Sequence, residues 1–135
     1  MKTRLLSCLL ACLLTPLLAH AAQWVKVGGD GTSEAFIDKS SILRSGNQFK
    51  VWSLVSYDSE QTAQDGTVYR SMKALQLYAC GARTTTLLSQ VYYGEAKGKG
   101  PVVQRFKYEK FEPEDIIPDS TADGALQLIC KGRKR

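Results

Sequence analysis

Apolar and polar positions alternate along most of the chain between Trp24 and Phe111. This alternation, rich in β-branched and aromatic residues, is typical of β-strands. Clusters of Gly, Asn and Asp interrupt it and predict turns. The segment 61–66 is predicted to be a polar loop, and the segment 95–100 a mobile loop. The predicted strands are Trp24–Val27, Glu34–Asp38, Phe49–Tyr57, Thr67–Cys80, Arg83–Tyr93 and Val102–Phe111.

The third predicted strand has two different faces. The odd-numbered positions between Phe49 and Tyr57 are mostly apolar, so they predict a buried face. The even-numbered positions are mixed, and Trp52 and Leu54 lie among them. We therefore expect the second face of the sheet to be partly covered as well.

The end of the chain changes to a helical period. Ser120 is a predicted helix N-cap, and Asp123 stands three residues later in the capping-box position. Gly124 weakens the helix, which therefore needs support from packing. Apolar residues fall on one face of this helix at Ala122, Ala125, Leu126, Ile129 and Cys130.

The first residues have the layout of a secretory signal peptide. Basic residues precede an apolar run of about 14 residues, shorter than the roughly 20 that span a membrane. Ala19 and Ala21 then stand where a signal peptidase reads small residues. We expect a signal peptide over residues 1–21 and one domain over residues 22–135. A lipoprotein site at Cys12 is the alternative, but the apolar residues that follow it do not favour a lipid anchor there.

Export changes the charge and the cysteine content of the chain. The net charge falls from +5 to +3 because Lys2 and Arg4 leave with the signal, and Cys80 and Cys130 remain. In an oxidising compartment such a pair predicts one disulfide rather than two free thiols. Cys130 lies on the apolar face of the predicted helix and Cys80 lies at a strand end. The bond would therefore tether the helix to the sheet.

The order of the elements, strands first and one helix last, predicts the fold class. We expect an α+β, mainly β, domain that consists of an antiparallel meander sheet of about six strands and a C-terminal helix tethered by the disulfide. Antiparallel strands joined by short turns need no crossover helices.

The residues that catalysis usually needs are scarce. Once the signal is removed, the chain has no histidine, because His20 is its only one. This excludes a Ser-His-Asp triad and a histidine-containing zinc site. Glu112, Glu114 and Asp115 could act as acid and base, but a solvated acidic stretch before the helix is the simpler interpretation. We expect no enzymatic activity, no metal and no cofactor.

Tyrosines and basic residues near the last two strands are the candidate ligand-binding residues. Tyrosine suits interfaces because its ring is apolar and its hydroxyl is polar, and lysines could contact an acidic partner. The basic C-terminus, 131–135, is more simply a solvated helix end. Nucleic-acid binding is not expected in an exported chain without a recognised motif. The candidates are Tyr92, Tyr93, Lys97, Lys99 and Arg105.

A series of short segments in a fixed order carries a family resemblance. The segments are Trp24, Phe36–Asp38, Ser41-Ile42, Val51-Trp52, Tyr69–Lys73, Tyr78–Cys80, Arg83, Tyr92-Tyr93, Ile117–Ser120 and Cys130. Together they resemble the surface-adhesin protein E family of Gram-negative bacteria. The resemblance implies antiparallel strands with a disulfide-tethered C-terminal helix and a non-enzymatic role at the cell surface. Members bind host matrix and serum proteins such as vitronectin and laminin, so a protein ligand is implied.

Adhesin members are lipoproteins of the outer membrane, whereas this signal resembles the soluble-export type. We expect export across the inner membrane to the periplasm or the outer-membrane surface. Two alternatives stay open. One is a periplasmic interaction protein or inhibitor, although a basic target such as lysozyme does not complement a positive chain. The other is a structural envelope component acting through an exposed sheet edge, which could also form a homodimer.

Overall fold

One antiparallel sheet and one helix contain most of the chain. The computed structural model describes residues 21–109 and 112–131. Short 3-10 turns lie at Lys39–Ser41 and Ala96–Gly98. The strands are β1 Trp24–Gly29, β2 Ser33–Asp38, β3 Leu43–Ser45, β4 Gln48–Thr62, β5 Val68–Ala79, β6 Thr84–Tyr93, β7 Val102–Lys107 and β8 Glu114–Asp115, and the helix is α1 Thr121–Cys130.

The sheet has the order β1-β2-β4-β5-β6-β7, with every neighbouring pair antiparallel. The predicted fold, a meander sheet followed by a helix, is confirmed. Two short strands were not predicted: β3 pairs with β4, and β8 pairs with β6. Segments of three and two residues are too short to show an alternating pattern, so only their pairing reveals them.

Several boundaries differ from the prediction. The predicted loop begins at Gln61, but β4 continues through Thr62 because its end pairs with β5 beyond an irregular stretch after Ser56. Polar side chains do not end a strand whose backbone still has a partner. The last long strand ends at Lys107 rather than at Phe111, which lies outside the described residues.

The core lies where α1 packs on the sheet. Ile37, Val51 and Tyr78 from the strands meet Leu126 and Ile129 from the helix, and all are nearly inaccessible to solvent. The apolar helix face predicted by sequence is therefore buried. Burial of such side chains contributes roughly 1.5–3 kcal/mol each.

The helix begins as predicted, although the capping box is incomplete. The Ser120 hydroxyl accepts the Asp123 N–H at 3.2 Å. The Asp123 carboxylate does not return to the Ser120 backbone. It accepts instead from the Asp119 N–H at 3.1 Å and from the Arg83 guanidinium at 2.6 Å. The start of α1 is thereby joined to the turn between β5 and β6.

A disulfide joins Cys80, directly after β5, to Cys130, the last residue of α1. The two Cα atoms are 5.9 Å apart, and the predicted pairing is confirmed. A bond that closes a loop of this length restricts the unfolded chain and stabilises the fold by about 4 kcal/mol in the chain-entropy description.

Gly124 has a packing role that its helix propensity hides. A Cβ on this residue would lie 2.3 Å from the Val27 carbonyl oxygen of β1. The helix therefore approaches β1 more closely than any side chain at this position would allow. The glycine that weakens α1 as an isolated helix is the residue that lets α1 dock.

The two sides of the sheet are covered differently, and we name them by their cover. The helix face carries Ile37, Val51 and Tyr78 beneath α1. The strap face is the opposite side, and a segment that we call the strap, residues 94–101, folds back over one end of it.

Some predictions concern residues outside the described part of the chain. The signal peptide, except for its last residue, and the alternative lipid site at Cys12 are among them, as is most of the basic C-terminus, 132–135. The domain boundary at residues 21–22 stays a prediction. Within the described ranges, no helix has the length and apolar character needed to cross a membrane.

Candidate ligand-binding surfaces

The candidate residues fall on both faces of the sheet. Tyr92 and Tyr93 are consecutive in β6, so their side chains point to opposite sides. The Tyr92 ring packs against Tyr69 on the helix face, with centroids 4.6 Å apart. The Tyr93 ring lies on the strap face, 5.1 Å from the Lys73 Nζ. Tyr92 is therefore separated by the sheet from the other candidates, which lie in the strap or on the strap face.

The strap is held to the sheet by two serines. The buried Ser71 hydroxyl donates to the Glu95 carbonyl at 2.5 Å and accepts the Gly98 N–H at 2.8 Å. The Ser56 hydroxyl accepts the Lys97 N–H at 3.0 Å. The segment predicted to be a mobile loop is thus tied down by hydrogen bonds that its sequence does not show.

Within the strap both lysines are exposed, but among the described residues only Lys97 forms an ion pair. The Lys97 ammonium pairs with Glu34 of β2 and lies 4.5 Å from the Phe36 ring centroid. Glu34 also pairs with Lys26 at 2.9 Å. The hydrogen bond from Lys97, followed by that from Lys26, lowers the pKa of Glu34 to about 2. Lys97 therefore helps to fix the strap, and Lys99 is the freer cation for a ligand.

A row of residues crosses the strap face from strand to strand. Leu54, Lys73, Val91 and Arg105 are successive cross-strand partners in β4, β5, β6 and β7. The Lys73 ammonium is 5.6 Å from the Trp24 ring centroid as well as close to Tyr93. Contacts of a cation with ring faces hold the long side chain across the sheet.

Beside this row lies a shallow apolar hollow of about 490 Å³. Trp52, Leu75 and Val91 form its floor, while Arg105 and Lys107 of the edge strand line its rim. Both rim cations are exposed. Among the described residues, neither of them forms an ion pair. The hollow therefore combines apolar contact area with available positive charge. Sequence reasoning missed Lys107 and Trp52 here because only the cross-strand register places them beside Arg105.

The edge strand β7 is where a second copy of the chain could add to the sheet in the predicted homodimer. Val102, Val103 and Phe106 of β7 are partly exposed. The Gln104 side chain accepts the Arg105 backbone N–H at 2.9 Å and donates to Asp65 at 2.8 Å. Charged side chains and occupied backbone groups are features that discourage strand addition at an edge. The homodimer stays a prediction.

On the helix face, four aromatic rings form a row. Tyr57, Tyr69, Tyr92 and Phe106 touch in turn, edge to face, with centroids 5.9, 4.6 and 5.6 Å apart. Burial raises the pKa of Tyr57 and of Tyr92, and the neighbouring tyrosines add to the rise. Both phenols are therefore neutral at physiological pH. The tyrosines were visible in the sequence, but their alignment into one row was not.

Between this aromatic row and α1 the helix face contains a cleft of about 290 Å³. Its lining is mainly apolar, with Gln76 and Gln90 as amides. Gln76 accepts the Ser53 hydroxyl at 2.8 Å. Glu114 of β8 is the one charged residue in its lining, among the residues that the structure describes.

The acidic stretch at 112–115 lies at the surface. Glu112, Glu114 and Asp115 are exposed, as predicted, although the last two form β8. In the described ranges, no three His, Cys, Asp or Glu side chains come together in a way that could hold a metal ion.

The family model of surface-adhesin protein E matches residues 24–131. The chain belongs to the surface-adhesin protein E family. The resemblance noted in the sequence is thereby confirmed. No curated protein sequence matches the chain.

Solved structures agree with the fold. The structure of Haemophilus influenzae protein E is similar with a TM-score of 0.60 at 20% identity, over 79% of this chain and 83% of that chain. Protein E from non-typeable Haemophilus influenzae gives a TM-score of 0.59 at 20% identity, over 87% and 81%. At 20% identity this likeness shows that the chain and protein E share a fold. It does not show a shared ligand.

Proposed function

We propose that this protein is a non-enzymatic, exported adhesin-like protein of the bacterial envelope that binds a host matrix or serum protein through its strap face. The observation that carries the proposal is the family match, which spans residues 24–131. The predicted signal peptide and the disulfide between Cys80 and Cys130 support export to an oxidising compartment.

The strap-face hollow has the chemistry of a protein-binding site. Binding energy at protein interfaces concentrates on a few residues, among which Trp, Tyr and Arg are enriched. This surface brings Trp52, Tyr93 and Arg105 onto one side of the sheet. Lys107 beside Arg105 adds positive charge at the rim. Such a surface favours an acidic partner segment that inserts an apolar side chain into the hollow.

A binding assay with a matched charge control tests this assignment. Immobilised vitronectin and laminin would be titrated with the oxidised domain, with a double variant Arg105→Glu and Lys107→Glu, and with a control Lys39→Glu and Arg44→Glu. The control removes the same charge from exposed positions away from the hollow. We expect the rim variant to lose at least tenfold in affinity and most of its salt dependence, because rim charges govern steering. Equal binding by both variants would reject the strap face as the site.

A periplasmic interaction protein is the second candidate. The predicted soluble-export signal ending near Ala21, without a favoured lipid site, supports it. Protease applied to intact cells separates the two functions, because a surface adhesin is digested and a periplasmic protein is protected. Protection from protease, together with no binding to matrix proteins, would favour the periplasmic role and exclude the adhesin.

A further inference from the structure

The helix face offers a second surface that the strap-face proposal does not use. Two rows of cross-strand partners run across it: Ser53, Ala74, Gln90 and Phe106 in one, and Ala35, Val55, Met72, Tyr92 and Gln104 in the other. At the β2 side, Ser53 and Ala35 of these rows line the cleft beside α1. At the β7 side, Phe106 belongs to the aromatic row and Gln104 borders it. The Gln90 amide lines the cleft and accepts the Tyr92 and Tyr108 hydroxyls at 3.3 and 2.9 Å. The cleft and the aromatic row are therefore one continuous surface.

The cleft exists because small side chains come together. Ala35, Ser53 and Ala74 lie on three neighbouring strands, and Ala122 and Ala125 face them from α1. Protein interiors are otherwise filled to high density, so several small residues at one place leave room that larger ones would close. At about 290 Å³ the cleft is at the lower end of ligand pockets. This volume fits an inserted side chain of a partner better than a large cofactor.

The charges around this surface have the opposite sign to those of the strap face. Glu114 lines the cleft. Asp65 and Asp30 lie close enough to Tyr92 and Tyr57, respectively, to raise the pKa of those phenols further, after burial and the neighbouring tyrosines. No cation lines the cleft among the described residues. Two arginines of β5 and of the turn after it already have partners. Arg83 forms an ion pair with Asp123, and Arg70 donates a hydrogen bond to the Asp58 carbonyl at 2.7 Å.

We propose that the helix face binds an extended protein segment in which every second side chain faces the sheet, with apolar side chains in the cleft, one lysine or arginine against Glu114 and another against the row of tyrosines. Charge complementarity selects this occupant, because carboxylates and tyrosine ring faces attract cations and the cleft accepts apolar groups. The inference rests on the proposed protein-binding function. It assigns to the partner a basic segment in addition to the acidic one on the other face.

Fluorescence anisotropy with labelled heptapeptides tests the proposal on the full oxidised domain. Each probe has Ser at its second, fourth and sixth positions, and the other four positions face one side of the extended chain. These four positions are Lys, Leu, Leu and Lys in the Lys-Leu peptide, Glu, Leu, Leu and Glu in the Glu-Leu peptide, and Lys, Ser, Ser and Lys in the Lys-Ser peptide. We expect the Lys-Leu peptide to bind at least fivefold more tightly than either of the others. Equal binding of the Lys-Leu and Glu-Leu peptides, or no binding of either, would overturn the proposal.

Two variants place the peptide. Glu114→Lys reverses the charge at an exposed position, and Ser53→Leu fills the cleft; each should weaken Lys-Leu binding at least threefold, with folding checked by thermal melting. Glu95→Lys in the strap is the matched control and should leave binding unchanged. If Glu95→Lys weakens binding as much as Glu114→Lys, attraction to overall charge explains the result and the site is wrong. A dimer that sedimentation detects in the original protein but not in Ser53→Leu would place a second copy on the helix face and would also overturn the proposal.

The two proposals can fail separately. The Arg105→Glu and Lys107→Glu variant should lose vitronectin or laminin binding and keep the Lys-Leu peptide. If no matrix protein binds while the Lys-Leu peptide still binds in a Glu114-dependent way, the adhesin assignment fails and the helix-face site stands. Loss of peptide binding in the strap-face variant would reject a separate helix-face site.

Discussion

The two faces of the sheet are each covered in part, and by different physical means. On the helix face, α1 covers the core with buried Leu126 and Ile129 and is fixed by the Cys80–Cys130 bond. On the strap face, the cover is a short loop whose backbone is bound by Ser56 and Ser71. An apolar helix and a polar loop can therefore both cover part of a sheet. The helix does so through the hydrophobic effect and a covalent bond, and the loop does so through directed hydrogen bonds.

The faces also differ in charge. The strap-face hollow has cations on its rim, whereas the helix-face cleft has a carboxylate in its lining. Since neighbouring residues of a strand point to opposite sides, one strand serves both surfaces, as Tyr92 and Tyr93 do. The following predictions test how far the two covers are independent.

The largest effect is expected from the disulfide. Replacing Cys80 and Cys130 together by Ser should lower the free energy of unfolding by about 4 kcal/mol, because the unfolded chain gains the freedom of an open loop. Urea denaturation of the oxidised protein and of the variant measures this change. Hydrogen exchange should show the loss of protection first in α1, with the strap less affected. An unchanged urea midpoint would contradict the tether.

Gly124→Ala comes next, and its direction opposes helix propensity. Alanine favours an isolated helix, but its Cβ would collide with the Val27 carbonyl. We expect a loss of about 1–3 kcal/mol, the usual effect of overpacking. Gly81→Ala is the control, since a Cβ there meets no atom within 4 Å. Thermal unfolding measures both variants. If Gly124→Ala had a higher melting temperature than Gly81→Ala, α1 would have to dock differently.

On the strap face, Ser71→Ala should lower stability by about 1–3 kcal/mol, because the Gly98 N–H and the Glu95 carbonyl lose a buried partner. Ser56→Ala removes only the bond to the Lys97 N–H and should have about half the effect. Hydrogen exchange of the strap amides, compared with those of α1, measures both. Equal effects on α1 and the strap would mean that the two covers are coupled.

The smallest effect is a pH dependence at the start of α1. Arg83, followed by the Asp119 N–H, holds the pKa of Asp123 below its ordinary value of 3.8. The carboxylate is therefore favoured in the folded state, and its contribution is present above about pH 4 and is lost as the pH falls through the folded pKa. Melting temperatures measured from pH 7 to pH 2 should fall less steeply for Asp123→Asn than for the exposed control Glu112→Gln. Parallel curves would show that the Asp123 carboxylate contributes no pH-dependent stability.

Much of the fold could be predicted from particular residues. The alternation in β4 and β5 marked the long strands, and the spacing from Ala125 to Ile129 marked the buried side of α1. The end of β4 at Thr62 could not be predicted, because its polar residues continue the strand only through pairing with β5. Strand pairing depends on distant partners, and local patterns carry little information about it.

The residues of the candidate site could be predicted only in part from the sequence. Tyr93, Lys99 and Arg105 were predicted as binding residues, and they do lie on one side of the molecule. Lys97 was predicted with them, but its ammonium is engaged by Glu34, which is far away in the sequence. The neighbours that complete the hollow, Trp52 among them, come from strands separated by many residues. The sequence contains these residues, but only strand pairing in the folded sheet brings them next to one another.

By itself, the sequence determined the number and type of the main elements, the order in which they follow and the pair of cysteines that tethers the last one. These features follow from the period of the side chains and from covalent chemistry, both of which are local. The tertiary structure alone decided the strand register, the docking of α1 through Gly124 and the anchoring of the strap on Ser56 and Ser71. Those features depend on which distant groups meet, and they place a hollow lined by two cations and a cleft lined by one carboxylate on opposite sides of a single sheet.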